Sequence, residues 1–478
     1  MQTYVRTQML PPQSPPVTER GVVKWVRENL FSSVLNVALT LLGIAAVYYF
    51  VNLSLPWLLN GVWTAASLTE CRSIIAQNAG PGAGGACWAI IHARWYQFIY
   101  GFYPPSLYWR PVLAFGLLFV ALAPILFADN IRKAGRLVAG VSALTVLALF
   151  LVDMPLWLFL ALTAGLIVAS YLAFTQLTRL WYLTLIYPFL TVWLLWGGSV
   201  WGQVSIVAGF GVMVLAYRLL STRLGVPVAT GIGVVAAILW WVLLDETVAQ
   251  ALQSLIPLAI APIDSDKMGG FLLAFIIGVS SISLSLPIGI LLALGRQSDM
   301  FLVKALSVGF IEFVRGVPLI TMLFTASLLL QYFLPPNTNF DLILRVVILV
   351  TLFSAAYNAE VVRGGLAALP KGQYEAADAL GLDYWQAQRL IIMPQALKVS
   401  IPGIVSSFIG LFKDTTLVTF VGLAEPLRGI TTIVRADINW KGVYWEPYLF
   451  VGAIFFIVCY GMSRYSLYLE SKLRTDHL

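Results

Sequence analysis

The chain has 478 residues, 60% of them hydrophobic and 11% charged, with a formal net charge of +7. A soluble domain carries about 25% charged residues, so these proportions exclude a soluble protein of several domains and point to a polytopic membrane protein. The surplus of Lys and Arg matches loops retained on the inner side of a membrane, and no nucleic-acid partner is expected.

The apolar stretches are continuous, which favours all-α spans over the alternating strands of an outer-membrane barrel. Residues 1–32 read as a cytoplasmic tail, with prolines at 11, 12, 15 and 16. The first apolar run begins near Ser33 and is too long for the core of a cleavable signal peptide. A span needs about 20 apolar residues. Runs of that kind fall near 33–53, 111–128, 137–153, 155–176, 181–199, 204–220, 226–245, 269–294, 317–334, 342–358, 399–423 and 447–465. Arg20, Lys24 and Arg27 before the first run place the N-terminus inside. Arg132, Lys133, Arg136, Arg179, Arg218, Arg223, Arg296, Lys304, Arg464, Lys472 and Arg474 then fall inside, and Asp245, Glu246, Asp264 and Asp266 outside. Both termini are therefore expected in the cytoplasm, and the loop 55–109 outside. Composition changes near residue 265. An extension at 33–265 has few polar groups, whereas 266–478 is dense in Gly, Pro, Arg and carboxylates, as expected of a working core.

Catalysis and cofactor binding have little to stand on. The only histidines are His92 and His477, and the cysteines are Cys71, Cys87 and Cys459. No metal-ligand or catalytic cluster follows from these. No G-x-x-x-x-G-K-[ST] phosphate loop occurs, so the chain is not expected to bind ATP or Mg itself. Cys71 and Cys87 share the outside loop, where a disulfide or two free thiols are the alternatives.

The segment 368–394 is the most informative. Pro370 and Gly372 break the chain after the tenth span. Tyr374 to Leu380 favours a short helix, and Gly381 stops it in a left-handed conformation. Asp383 with Gln386 forms a capping-box pattern that opens another helix, and Pro394 interrupts that one. Two short helices at the inner surface, with Tyr374, Leu380 and Trp385 as apolar anchors, suit either a docking surface or a plain elbow between spans.

Glu375-Ala376-Ala377, then Gly381, then Ile391-Ile392-Met393-Pro394 resembles the EAA loop of ABC importer permeases, with Met393 where that family usually has leucine. The resemblance implies a coupling helix docked on a separate ATPase, through Tyr374, Glu375, Ala376, Ala377, Leu380 and Gly381. Leu294-Gly295-Arg296, Ile311-Glu312-Phe313-Val314-Arg315-Gly316, Tyr357-Asn358-Ala359-Glu360 through Arg363-Gly364-Gly365, and Lys413-Asp414-Thr415-Thr416 are similar to the polar amino acid uptake branch over about 266–475. Cys71 to Trp88, with Gln97-Phe98 and Gly101-Phe102-Tyr103-Pro104, resembles the extended permeases of broad-range L-amino acid systems, nearest the glutamate/glutamine/aspartate/asparagine type. These resemblances imply an ATP-driven importer in a bacterial inner membrane. The ATP and Mg would be held by an ATP-binding subunit pair. A second permease subunit and an external amino acid binding protein would complete it.

Charges within a bilayer mark pathways or ion pairs. Lys413 and Asp414 read either as a packing pair or, with Thr415 and Thr416, as lining for a zwitterionic substrate. Glu312, Arg315, Glu360 and Arg363 suit an inner gate, and Gly364-Gly365 a hinge or a loop. The alternative function is a secondary amino acid transporter, which calls for related halves that this chain does not show.

Overall fold

A computed structural model describes residues 21–333 and 341–473. The expectations for 1–20, the end of the ninth run at 334, Arg474 and His477 lie outside the described residues. Its helices are α1 (Gly21–Asn29), α2 (Val34–Leu59), α3 (Leu68–Ala79), α4 (Ala89–Tyr100), α5 (Trp109–Leu126), α6 (Ile131–Phe150), α7 (Leu156–Thr175), α8 (Leu180–Trp196), α9 (Val200–Leu224), α10 (Val226–Leu239) and α11 (Asp245–Leu255). They continue as α12 (Gly270–Gln297), α13 (Phe301–Gly316), α14 (Leu319–Phe333), α15 (Leu342–Ala367), α16 (Gly372–Ala379), α17 (Tyr384–Ala387), α18 (Met393–Asp414), α19 (Pro426–Ala436) and α20 (Trp445–Leu473). Among the described residues eleven helical segments are long and apolar enough to cross a membrane, or twelve if α13 and the start of α14 count as one bent span.

That bend is 101°, and the sequence states its cause. Pro318 disfavours helical geometry in the residue before it, and Val317 is extended at φ −108°, ψ 131°. The helix leading into the ninth span is therefore a separate element, α13, rather than loop.

The described residues form two compact units. One comprises 21–93 with 434–447. In it, Ser33 caps α2 by accepting from the Asn36 amide, and Cys71 and Cys87 are joined in a disulfide. Trp63 stacks on Trp88. Two hydrogen bonds tie this N-terminal loop to the segment 434–447: the Leu68 amide donates to the Asn439 carbonyl at 2.8 Å, and the Cys87 amide to Oε1 of Glu446, in the first turn of α20, at 2.7 Å.

The other unit comprises 94–333 and 341–433 with 448–473. Here α9 runs against α10 and α11, closed at one end by a two-residue antiparallel pair, β1 (Gly198–Ser199) and β2 (Ala259–Ile260). A π-turn at Trp240–Leu244 aims two indoles at α9: Trp240 donates to the Ser205 carbonyl and Trp241 to that of Ile206, both at 3.0 Å. Arg110 of α5 is buried and donates to the Ala261 carbonyl at 2.7 Å.

The centre of this unit is α12 against α15, with α18 behind. Lipid tails give helices no hydrophobic reason to associate, so close packing and interhelical hydrogen bonds must do so. Asn358 of α15 donates to the Ser285 hydroxyl of α12 at 3.1 Å, and both residues are fully buried. Opposite Asn358, Gly289 leaves no room: an added Cβ would stand 2.8 Å from Asn358 Cβ and 3.0 Å from the Ala355 carbonyl.

Gly364 and Gly365 both lie within α15, so they are helical rather than a loop. Gly364 meets open space, whereas a Cβ on Gly365 would overlap the Ser400 hydroxyl and stand 2.5 Å from the Ala396 carbonyl. Gly365 is thus where α15 touches α18. Gly365→Leu is expected to cost about 1–3 kcal/mol of overpacking and to lower the melting temperature of the purified protein, whereas Gly364→Ala leaves it unchanged. Equal effects of the two would refute this contact.

Candidate docking elbow and charged hub

The elbow between α15 and α18 is built from local signals. Gly381 takes φ +71°, a conformation that L side chains avoid. Asp383 and Gln386 complete a reciprocal capping box at α17: the Gln386 amide donates to Asp383 Oδ1 at 2.8 Å, and the Asp383 amide to Gln386 Oε1 at 3.2 Å. A π-turn at Gln388–Ile392 precedes α18, and Pro394 stands in the first turn of that helix, where proline is best tolerated.

Ala377 is the buried foot of α16. Tyr374 packs against the buried cluster of Ala359, Val362, Leu366, Ile392 and Ala396, and burial pushes its phenol up from the usual value. Gln395 of α18 donates to the Gln373 side chain at 2.9 Å. The far side stays open. Glu375, Ala376 and Gly381 are exposed. Leu380 is 71% and Trp385 65% exposed, and Tyr384 and Leu390 join them. An exposed apolar patch on so short an elbow suits an interaction surface. Tyr384, which meets the Trp385 ring edge-on at 5.3 Å, was not singled out from the sequence; its place beside Trp385 was the available signal.

Glu312, Arg315, Glu360 and Arg363 come together, and Arg296 at the end of α12 completes the group. Arg296 Nη1 reaches Glu360 at 2.6 Å and Glu312 at 2.9 Å. Arg363 pairs with Glu360 at 3.0 Å, while Arg315 stands 4.0 Å from Glu312 and 3.9 Å from Glu360. Five charges thus knot α12, α13 and α15. Arg296 carried a sequence signal as an inner-side arginine, but nothing in one dimension gave it two carboxylates. The hub sits beside the elbow: Leu294 and Ile311, close to its residues in the chain, share the buried cluster against which Tyr374 packs.

The Lys413–Thr416 group lies where α18 gives way to a 3-10 turn over Thr415–Val421. Lys413 is exposed and Asp414 half-buried. Thr415 is fully buried, and its hydroxyl donates to the Phe412 carbonyl at 2.7 Å. Thr416 donates to that of Lys413 at 2.8 Å. Two apolar cavities, of about 460 and 500 Å³, flank the contact between Phe115 and Phe275, and these four residues line neither.

Glu425 was passed over in the sequence. It is fully buried between spans, and its carboxylate accepts from the Leu427 and Arg428 amides at 2.7 Å each, capping α19. Burial raises its pKa from 4.5 to about 7, against the pull of those amides, Thr419 and Arg428. A raised carboxyl pKa means the folded state prefers the proton. The stability tied to this group is complete below the unfolded value and is lost as pH rises through about 7. The melting temperature is expected to fall over that window, and Glu425→Gln to flatten the fall. An identical pH profile for the variant would contradict the burial argument.

Residues 285–475 match the family described as binding-protein-dependent transport system inner membrane component. The chain is 60% identical to the glutamate/glutamine/aspartate/asparagine transport system permease protein BztC of Rhodobacter capsulatus, over 99% of both chains. It is 34% identical to the inner membrane amino-acid ABC transporter permease protein YhdY of Escherichia coli, over 97% of this chain and 96% of the relative. Against the glutamate/aspartate import permease protein GltK of Escherichia coli it is 31% identical over 211 residues, which are 43% of this chain and 92% of that one. This multi-pass membrane protein belongs to the binding-protein-dependent inner membrane components of ABC transporters, as a permease subunit.

Proposed function

We propose that the chain is the membrane permease of an ATP-driven importer of polar L-amino acids, with glutamate, glutamine, aspartate and asparagine as substrates. The observation that carries this reading is identity of 60%, sustained over 99% of both chains, to a permease named for those four. A pair of ATP-binding subunits, which hold the ATP and Mg, docks on the elbow through Tyr374, Glu375, Ala376, Ala377, Leu380 and Gly381. The chain itself brings no cofactor. A second permease subunit, related or identical, completes the pathway, and an external binding protein delivers the amino acid.

The layering is a tail at 1–32, an extension at 33–265 and a permease core at 266–478. Its support is the family match at 285–475 and a relative 92% covered by 43% of this chain. The protein sits in a bacterial inner membrane with both termini cytoplasmic. A disulfide favours an oxidising compartment for the 55–109 loop, and alternation of spans then brings the elbow to the opposite, cytoplasmic face.

In mechanism, closure of the ATPase pair moves the elbow. The cluster that holds Tyr374 also contains Leu294 and Ile311, so the movement reaches the ends of α12 and α13. There the Arg296–Glu312–Glu360 hub, with Arg315 and Arg363, acts as the inner gate, its pairs made in one state and parted in the other. Lys413 and Asp414 offer both charge signs to a zwitterion, Thr416 adds a hydroxyl, and Thr415 holds the turn beneath them.

Reconstitution in vesicles with and without the ATPase pair tests the core of this reading. Uptake of labelled glutamate is expected only with the ATPase, ATP and binding protein together. Uptake driven by an ion gradient alone would overturn it in favour of a secondary transporter. Gly381→Asp and Glu375→Lys are expected to insert normally yet weaken ATPase association about tenfold or more, the scale of one hot-spot loss. Lys413→Ala and Asp414→Ala are expected to change the preference among acidic, neutral and basic amino acids at normal abundance; unchanged uptake by both would remove them from the path.

A further inference from the structure

The turn between α5 and α6 carries a patch that the transport mechanism does not use. Both helices are apolar enough to span a membrane, ending at Leu126 and starting at Ile131, so the turn lies at a membrane surface. Arg132 and Arg136 stand one helical turn apart on the same face of α6, and both are exposed. Arg179, also exposed, lies at the same end of the bundle: Leu177 and Leu180, on either side of it in the chain, share one buried cluster with Ala134 and Val138 of α6.

The last turns of α20 close the patch from the other side. The Tyr465 hydroxyl donates to the Leu126 carbonyl at 2.6 Å, and Lys133 Nζ lies 4.1 Å from the centre of the Tyr468 ring. Asp129 is taken by Lys472 at 2.5 Å. The nearby acid and the nearby lysine are therefore both occupied. The guanidiniums of Arg132, Arg136 and Arg179 remain without an ion pair among the described residues. Exposed Ile131 and Phe174 continue the surface in apolar form.

We propose that this patch binds the phosphate headgroup of an anionic phospholipid, held between α6 and the start of α8. Guanidinium forks match phosphate oxygens two at a time. The level at which the spans end presents lipid phosphates, and the apolar flank receives the acyl chains. Charges that serve orientation alone would show no preference between lipid classes in the purified protein.

Native mass spectrometry of the full chain in mild detergent tests this, with phosphatidylglycerol and phosphatidylcholine of identical acyl chains added in turn. Wild type is expected to retain phosphatidylglycerol about fivefold or more better, the scale of one basic contact. The R132Q/R136Q variant should lose that preference, and R132K/R136K should keep part of it. Equal retention of both lipids by wild type, or the same preference in R132Q/R136Q, would overturn the site. So would displacement by inorganic phosphate at equal concentration, which would indicate a soluble-anion site, or a variant that alters only ATPase association. If the double variant fails to insert, Arg179→Gln is read by the same measurement, and an unchanged preference there counts against the proposal.

Discussion

The permease core depends on how closely α15 approaches its two neighbours. Within a bilayer no water competes for hydrogen bonds, and no hydrophobic gain rewards helix pairing. Gly289 and Gly365 remove the side chains that would hold α12 and α18 away. Asn358 then reaches Ser285. α15 continues from this seam to the hub at Glu360 and Arg363 and to the elbow. A displaced elbow therefore acts on a helix clamped on two sides, and the displacement passes along α15 as a unit instead of dissipating in a loose bundle.

The extension meets the core through backbone contacts as well as through the Tyr465 and Lys472 side chains, which reach Leu126 and Asp129. The Phe102 amide donates to the Lys267 carbonyl at 3.1 Å, and a Cβ on Gly101 would stand 2.6 Å from the Gly269 amide nitrogen. Such contacts tolerate changes of side chain at the accepting position. Between them, the cavities on either side of Phe115 and Phe275 leave the α5–α12 seam less filled than the α12–α15 seam. The tight joint lies inside the core and the looser one between core and extension, which suits a part that moves beside a part that frames it.

Much of this was legible in one dimension because its causes are local. Span positions follow from apolar run length, and the elbow from Gly381, Asp383 and Gln386, each acting on backbone within a few residues. What escaped depends on partners distant in sequence. Arg296 reads as one more inner arginine until α13 and α15 bring Glu312 and Glu360 to it. Gly364 and Gly365 look alike in sequence, and only the neighbouring α18 separates a contact from an open position. Thr415 and Thr416 read as paired hydroxyls, yet the 3-10 turn buries one and leaves the other partly open. Glu425 drew no reading from the sequence, and burial with the α19 cap gives it a role. The division near residue 265 rests on composition. The unit formed by 21–93 with 434–447 is tied by hydrogen bonds that no local pattern announces.

Those hydrogen bonds also set an order of manufacture. The Cys87 amide finds its acceptor on Glu446, 359 residues further along the chain, and Leu68 waits similarly for Asn439. At ribosomal speeds of about 5–20 residues per second, the first loop is exposed for about 20–70 s before its partner segment exists. Throughout that interval the intervening spans must enter the bilayer while the early loop keeps its unpaired amides in water. A permease of this kind is finished from the end of its message backwards, and a truncated product leaves that loop unsatisfied however well the earlier spans have inserted.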